Sequence, residues 1–298
     1  MARKKKNKIS ANRRVLLDTF TERDLEYWAD RSENAQRYSD RVYFDLERQR
    51  AANHDALCDA LRNAGGIDVE IDGWTRVCDY RWSLTPLSPA GSLKGIGGRF
   101  NIGSDLDRAR GQQFPALYLA GDADTAYVEF FGGAPEASVG GLKIQEFALR
   151  RKTSFTTFVL RGRVENVLDL RASGSLKEFA RIVGHFELSN DTRRFARSIG
   201  VPVRTLMRTA RQIHERVLLP PAAWRSEPQL FGIPAPNQIL SRYVLGAGFE
   251  GVIYPSQRGG NTCLAIYPEN VAGTRVEVIG GRPIQATHFV LDKDSRCI

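Results

Sequence analysis

The sequence predicts an α+β fold in which short mixed β-sheets with flanking helices follow a helical N-terminal extension. Three observations predict it. As far as Leu61 the apolar residues recur at intervals of three and four, the period of an amphipathic helix. From Ile67 onward short apolar runs alternate with polar residues between Gly-rich loops, which is typical of strands. Residues 175 to 218 return to a helical, Arg-rich pattern.

The 298 residues are enough for one large domain or two modest ones. We divide them into a basic flexible arm at 1–20, a helical extension at 21–66, and a main domain at 67–298. The main domain contains a helical insert near 175–235. The extension carries none of the motifs described below, so we expect it to serve docking.

The individual elements follow from local patterns. Thr21 can cap the first helix with Asp24 at its third position, and Gly65-Gly66 ends the helical pattern. We predict strands at 67–71, continuing in a β-like pattern to Tyr80, and at 117–119, 143–149, 252–254 and 263–267. Helices are predicted at 125–131, at 175–218 with a break near Gly200, and at 237–245.

The net charge of +9 comes from the start of the chain. Seven of the 43 lysines and arginines precede residue 15, so from there 36 basic residues stand against 34 acidic ones. The charge is therefore no evidence that the folded body binds nucleic acid. Only Val15, Leu16 and Leu17 separate the basic arm from Asp18, too short for a secretory signal, and no run is long enough to span a bilayer, so we expect a cytoplasmic protein with no membrane partner.

Two kinds of site receive no support from the sequence. The four cysteines and four histidines are scattered without metal-ligand spacing, so we expect free thiols and no metal. The segment GAGFEG at 246–251 matches the dinucleotide-binding pattern, but a helix precedes it and a strand follows it. We interpret this segment as the end of a helix that leads into a strand.

The informative residues lie in five separated segments. These are YRWS at 80–83, GIGGRFN at 95–101, ALYLA at 116–120, AYVEFF at 126–131 and VIYPS at 252–256. Glu129 lies between Val128 and Phe130, and a carboxylate in such apolar surroundings must be paired or functional. Each segment alone is a weak signal, whereas their combination is fairly specific.

Together the five segments resemble the RES family, which are NAD-degrading toxins of bacterial toxin–antitoxin pairs with a fold like that of ADP-ribosyltransferases. The resemblance covers about residues 75 to 270 and leaves out the extension and the insert. It implies that Arg81, Glu129 and Ser256 are the Arg, Glu and Ser of the family name, with Tyr118 as a further catalytic residue. The main domain would then be the catalytic domain.

The resemblance also implies the ligands and partners. NAD would be the substrate, inorganic phosphate a possible co-substrate, and no cofactor would be needed. The expected partner is an antitoxin protein, a class that often carries an Xre-type DNA-binding domain. Whether copies of the chain associate stays open.

The chemistry of these residues fits that reaction. Nicotinamide leaves its ribose as a neutral molecule, so one carboxylate near the developing oxocarbenium ion suffices, and Glu129 could supply it. Arg81 and Arg99 could bind a pyrophosphate through bidentate guanidinium contacts. Tyr118 offers a ring face to nicotinamide, and Ser256 a hydrogen bond to phosphate or ribose. The expected substrate-binding residues of the Gly-rich loop are Gly97, Gly98, Arg99 and Asn101, with glycine N–H groups close to the phosphates.

Two alternatives remain at this point. The same site could transfer ADP-ribose to a macromolecule instead of phosphate or water. A different class of function is a nucleic-acid-binding module that uses the basic arm and the arginines of the insert. Those arginines fit a solvated helical face at least as well, so we expect no direct nucleic-acid binding. They are Arg193, Arg194, Arg197, Arg204, Arg208 and Arg211.

Overall fold

The computed structural model describes residues 22–131, 154–218 and 222–295. Its first two helices are α1 (Glu22–Ala52) and α2 (His54–Arg62), which confirms the helical pattern that was predicted to end before Gly65. Thr21, the expected cap, lies outside the described residues. Leu57 and Leu61 of α2 are fully buried in the larger apolar core, so this helix is packed into the body of the protein.

Seven strands form one mixed sheet in the order β1-β2-β5-β4-β3-β6-β7. Their bounds are β1 Ile67–Asp79, β2 Leu117–Ala120, β3 Phe155–Asp169, β4 Gly251–Pro255, β5 Thr262–Ile266, β6 Arg275–Gly280 and β7 Val290–Leu291. The strands predicted near 67–80, 117–119, 252–254 and 263–267 are present. The strand predicted at 143–149 lies outside the described residues.

The α+β class is confirmed, but the described strands form one seven-stranded sheet rather than the short sheets expected, and two of its strands are long. β1 has 13 residues and β3 has 15, because they pair with each other in antiparallel register from Ile67 opposite Val167 to Asp79 opposite Phe155. β1 also meets β2 where Thr75 lies opposite Ala120. These two pairings close β1, β2, β5, β4 and β3 into a ring of strands.

Alternating side chains divide the interior into two cores, as the period of a strand requires. Leu117 and Leu119 of β2 belong to one apolar cluster, together with Ile253 of β4. Tyr118 and Tyr254 face the opposite way and pack against the cluster that contains the helices. The second face of the strands therefore presents Tyr118 and Tyr254 toward the side where the cleft described below opens.

Six further helices are present in the described part of the chain. They are α3 Ala123–Phe131, α4 Lys177–Val183, α5 Asn190–Ser198, α6 Ala210–Ile213, α7 Ser226–Phe231 and α8 Pro236–Gly246, with a π-helical turn His214–Leu218 after α6. The helices predicted within 175–218 and the break near Gly200 are thus present, while the description of this region as an insert stays a prediction. α8 ends at Gly246 and β4 begins at Gly251, which confirms our interpretation of GAGFEG.

The arginines of the insert are mostly engaged within the protein. Ion pairs join Arg193 to Glu187, Arg194 to Asp191, Arg204 to Glu227 and Arg211 to Glu215, while Arg208 donates to the carbonyl of Gly184. Across the described ranges, no helix is both long and apolar enough to cross a bilayer.

Glu250 links the turn after α8 to the start of β6. Its side chain is buried, and its two oxygens accept the backbone N–H groups of Gly273 and Thr274, each at 3.0 Å. Glu250→Ala removes both acceptors and leaves the buried N–H of Thr274 and the partly buried N–H of Gly273 without this partner. We expect the free energy of unfolding to fall by about 2–4 kcal/mol, measured by chemical denaturation.

Glu178→Ala provides the control, because Glu178 is exposed and its one ion pair among the described residues is with Arg181, one helical turn away. It should change the free energy of unfolding by less than about 0.5 kcal/mol. Equal losses in the two variants would contradict the role assigned to Glu250.

Candidate active site

A cleft of about 520 Å³ opens where β1, β2 and α3 meet the Gly-rich loop and the end of β4. This volume lies within the range of small-molecule sites, which is about 300–1,000 Å³. Its walls include five of the predicted site residues, namely Gly97, Gly98, Arg99, Tyr118 and Glu129. Trp82 and Tyr254 also line the cleft, so the structure brings together residues from all five sequence segments.

Glu129 projects from α3 and is the most heavily engaged carboxylate of the cleft. Arg99 Nη2 lies 3.2 Å from both of its oxygens. Its Oε1 also accepts the Ser256 hydroxyl at 2.6 Å and the Gln257 N–H at 3.2 Å. The Glu129 side chain is still 24% exposed, so these donors hold an oriented carboxylate at the cleft surface.

Ser256 fixes the turn that follows β4. Its hydroxyl oxygen accepts the N–H groups of Arg258 at 3.2 Å and Gly259 at 2.8 Å while its proton goes to Glu129. We expected Ser256 to bind phosphate or ribose. Its hydrogen bond orients the Glu129 carboxylate, and binding of phosphate or ribose by Ser256 stays a prediction.

Asn101 organises the Gly-rich loop from a fully buried position. Its Oδ1 accepts the Gly98 N–H and the Tyr118 hydroxyl, each at 2.8 Å, and its Nδ2 donates to the carbonyl of Ser92. The Tyr118 hydroxyl in turn accepts the Phe100 N–H at 2.9 Å. Burial raises the pKa of Tyr118, so its hydroxyl stays protonated and available as the donor to Asn101.

Gly97 and Gly98 are required for the conformation of the Gly-rich loop. Gly97 has φ +86°, and a Cβ there would lie 2.6 Å from the Asn101 carbonyl oxygen. Its N–H donates to the carbonyl of Lys94, as the Gly98 N–H does to Asn101. These bonds occupy the two N–H groups that we expected to approach phosphates. Direct phosphate binding by Gly97 and Gly98 therefore remains a prediction that would require these bonds to break.

Gln238 is a loop-supporting residue that sequence reasoning missed. It is fully buried in α8, and its Nε2 lies 2.8 to 3.0 Å from the carbonyl oxygens of Ile96, Gly98 and Asn101. No sequence signal identifies it, because its partners lie about 140 residues earlier in the chain.

Arg81 lies outside the lining of the cleft. Its guanidinium pairs with Asp79 at 2.8 Å, and its side chain is 56% exposed. Its neighbours Asp79 and Trp82 do line the cleft. A catalytic role for Arg81 would require the side chain to leave Asp79 and turn inward.

Arg76 is the arginine of β1 that does line the cleft, and our sequence analysis missed it. It is buried, and its three nitrogens donate to the carbonyls of Pro86, Tyr118 and Ser88 at 2.9 to 3.2 Å. Burial lowers the pKa of its guanidinium. An Arg within a strand pattern, next to the apolar Val77, was the available signal.

The described residues around the cleft carry an excess of positive charge. Five cationic side chains and two carboxylates line it, namely Arg76, Lys94, Arg99, Arg225 and Arg258 against Asp79 and Glu129. Planar apolar side chains complete the walls, among them Trp82, Phe130 and Trp224. The arrangement suits a ligand with both anionic groups and flat rings.

Cys263 also lines the cleft but is unsuited to nucleophilic chemistry. Burial, together with the charge of Glu129, raises the pKa of its thiol to about 12. The thiol is therefore protonated at neutral pH, and the nucleophilic thiolate is scarce. Across the described residues there is also no group of three or more His, Cys, Asp or Glu side chains placed to hold a metal ion.

Gly98→Ala tests the close approach of the loop to Tyr118. The added Cβ would overlap the Tyr118 hydroxyl and lie 2.8 Å from Asn101 Oδ1. We expect the free energy of unfolding to fall by about 1–3 kcal/mol, measured by chemical denaturation. Gly174→Ala is the control, because nothing lies within 4 Å of a Cβ at that position. An undiminished stability in Gly98→Ala would show that the loop and Tyr118 can separate without cost.

Comparisons with known proteins give one structural similarity. No protein-family model matches the chain, and no curated protein matches it in sequence. Among solved structures, the crystal structure of the M. tuberculosis MbcT–MbcA toxin–antitoxin complex is similar, with a TM-score of 0.41 and 16% sequence identity. The similarity covers 75% of this chain and 89% of that chain. A similarity at this level does not carry function from one chain to the other.

Proposed function

We propose that this protein cleaves the glycosidic bond between nicotinamide and ribose in NAD and transfers ADP-ribose to phosphate or water. The observation that carries the proposal is the Glu129 carboxylate, oriented by Arg99 and Ser256 at the surface of a positively charged cleft. The resemblance of the five sequence segments to NAD-degrading toxins supports the same reaction.

The reaction breaks the bond between ribose C1 and the nicotinamide ring nitrogen, and the bonding electrons leave with that nitrogen. Positive charge develops on the ribose, where a fixed carboxylate stabilises it most strongly if water is largely excluded. Glu129 supplies that carboxylate. An oxygen of phosphate or water then bonds to C1, and water loses its proton to solvent or to a nearby base.

Arg99 and Ser256 would act through Glu129. Their contacts set the direction of the carboxylate before substrate arrives, so little reorganisation is needed during the reaction. The Arg99 guanidinium also lies over the ring of Tyr254, with its central carbon 4.9 Å from the ring centroid. Its Nη1 has no hydrogen-bond partner in the described structure, so Arg99 retains one donor that a pyrophosphate oxygen could accept.

In the proposed site, Arg76 is the arginine of β1 in the cleft wall, a position that we first expected Arg81 to occupy. Its hydrogen bonds tie the backbone at Pro86 and Ser88 to β2 at Tyr118. In the proposed site it keeps Tyr118 in place and contributes a fixed positive charge that favours an anionic substrate.

The toxin role and its antitoxin partner are further parts of this proposal. They follow from the resemblance of the sequence segments to the RES family. An antitoxin that covers the cleft would keep NAD out, so activity must be measured on protein free of such a partner.

Glu129→Gln tests the proposed function directly. Glutamine keeps the size of the side chain and removes its charge, so nicotinamide release should fall by about a hundredfold or more while NAD affinity changes little. Release is measured by chromatography and affinity by calorimetry. Glu215→Gln, an exposed carboxylate paired with Arg211, is the control. Intact NAD after long incubation with folded wild-type protein would refute the proposal.

A second pair of variants separates Arg76 from Arg81. Lysine keeps the charge but cannot reproduce the three-way hydrogen bonding of Arg76. We expect Arg76→Lys to lower kcat/KM for NAD by at least about tenfold and Arg81→Lys to stay close to wild type. Thermal unfolding of both variants checks that each is folded. A larger loss of kcat/KM in Arg81→Lys than in Arg76→Lys would support the catalytic role that we first expected of Arg81.

A further inference from the structure

The cations that line the cleft differ in what they contact. Arg99 pairs with Glu129, and Arg76 donates to three backbone carbonyls. Arg225 and Arg258, by contrast, have no carboxylate within ion-pair distance among residues 22–131, 154–218 and 222–295. Among the five cleft cations of the described structure, Arg99 is the one that pairs with a carboxylate, and Lys94 lies with its Nζ 5.0 Å from the centroid of the Trp82 ring. Arg225 and Arg258 differ from Arg99 and Arg76 because their guanidinium groups face the cavity with no ion pair or hydrogen bond to a protein oxygen among the described residues.

These two arginines come from distant parts of the chain. Arg225 ends the short 3-10 helix Ala222–Arg225 in the helical insert, just before α7. Arg258 lies two residues after Ser256, in the turn whose N–H groups hold the Ser256 hydroxyl. Arg258 is thus anchored to the same turn that orients Glu129.

Arg225 stands at the junction of two depressions. It lines the cleft and also an adjoining hollow of about 410 Å³, which it shares with Lys94. Its guanidinium carbon lies 4.9 Å from the centroid of the Trp224 ring. The ring supports the guanidinium on one side and leaves its edge available for hydrogen bonds.

The convergence of these charges is unfavourable in the free protein. Burial lowers the pKa of Arg225, and the positive charges of Arg258 and Arg99 lower it further. Like charges that meet in a partly desolvated site repel one another, and an anion bound between them removes the repulsion. Such an arrangement is therefore expected where an anionic ligand binds.

We propose that Arg225 and Arg258 form a binding site for a phosphate group, to which the helical insert contributes Arg225. Two guanidinium groups offer planar pairs of donors that match phosphate oxygens, and their combined charge matches a phosphate dianion. The site rests on the proposed function for its substrate. The phosphate group would be either the pyrophosphate of NAD or the free inorganic phosphate that accepts ADP-ribose.

Through Arg225, the helical insert contributes a side chain to the wall of the cleft. The family resemblance does not account for the region near 175–235, and Arg225 belongs to that region. The insert would then set which anion the cleft binds, by adding a cation that the strands and α3 do not supply.

The test uses calorimetry with inorganic phosphate and with NAD on the full chain. Variants R225A, R258A and the double variant are compared with wild type. We expect the double variant to lose at least about tenfold in affinity for one of the two probes. The control is R181A, which removes an exposed arginine of the insert that pairs with Glu178 and with no other carboxylate in the described part of the chain. R181A should bind both probes as wild type does.

The two probes identify the source of the phosphate group. Weaker binding of inorganic phosphate with unchanged NAD affinity, together with loss of phosphate-stimulated nicotinamide release, assigns the site to the acceptor. Weaker NAD binding assigns it to the pyrophosphate. The double variant R225K/R258K keeps both charges and should recover part of the lost affinity, which guards against a fold defect in the alanine variants.

The outcomes separate this proposal from the proposed function. Affinities for both probes equal to those of R181A would overturn the phosphate site and leave NAD cleavage standing. Phosphate binding that depends on Arg225 and Arg258 in a protein that never releases nicotinamide would support the site and refute NAD cleavage.

Discussion

The ion pair between Arg99 and Glu129 joins three parts of the chain that would otherwise be independent. Arg99 belongs to the Gly-rich loop and Glu129 to α3, thirty residues later, and Ser256 brings the end of β4 to the same carboxylate. A buried guanidinium is stable only with a close anionic or polar partner, and a carboxylate next to Phe130 has the same need. Each group therefore requires the other, and the cleft forms around the pair that satisfies both.

The surroundings of this pair keep it in one arrangement. Asn101 and Tyr118 hold the Gly-rich loop against β2, and Gln238 holds its carbonyls from the opposite side. Because these polar groups are buried and their hydrogen bonds connect with one another, a change in one disturbs its neighbours. The loop thus presents Arg99 in a fixed position, which is the property that an electrostatic role for Glu129 requires.

The arginines that line the cleft fall into two sets, which differ in whether their guanidinium groups are bonded to protein atoms. Arg99 and Arg76 are engaged with protein atoms and maintain the shape of the site. The guanidinium groups of Arg225 and Arg258 have no hydrogen bond or ion pair to protein oxygens among the described residues, so both are available to bind an anionic ligand. A cleft that used all its arginines structurally would attract an anion but would have no free donors to hold it.

Local patterns in the sequence determined the helices of the extension and insert and the strands at 117–119, 252–254 and 263–267. The resemblance of the motif segments to a known family indicated Glu129, Arg99 and Tyr118 as site residues. The spacing of apolar residues predicts helices and strands because each of these elements is formed by residues close together in the sequence. The long pairing of β1 with β3, the support that Gln238 gives the loop, and the choice of Arg76 over Arg81 as the cleft arginine were decided by tertiary structure. Each depends on contacts between residues far apart in sequence. Arg76 is held at the cleft because its guanidinium bonds to the carbonyls of Pro86, Ser88 and Tyr118, whereas Arg81, just past the end of β1, pairs with Asp79.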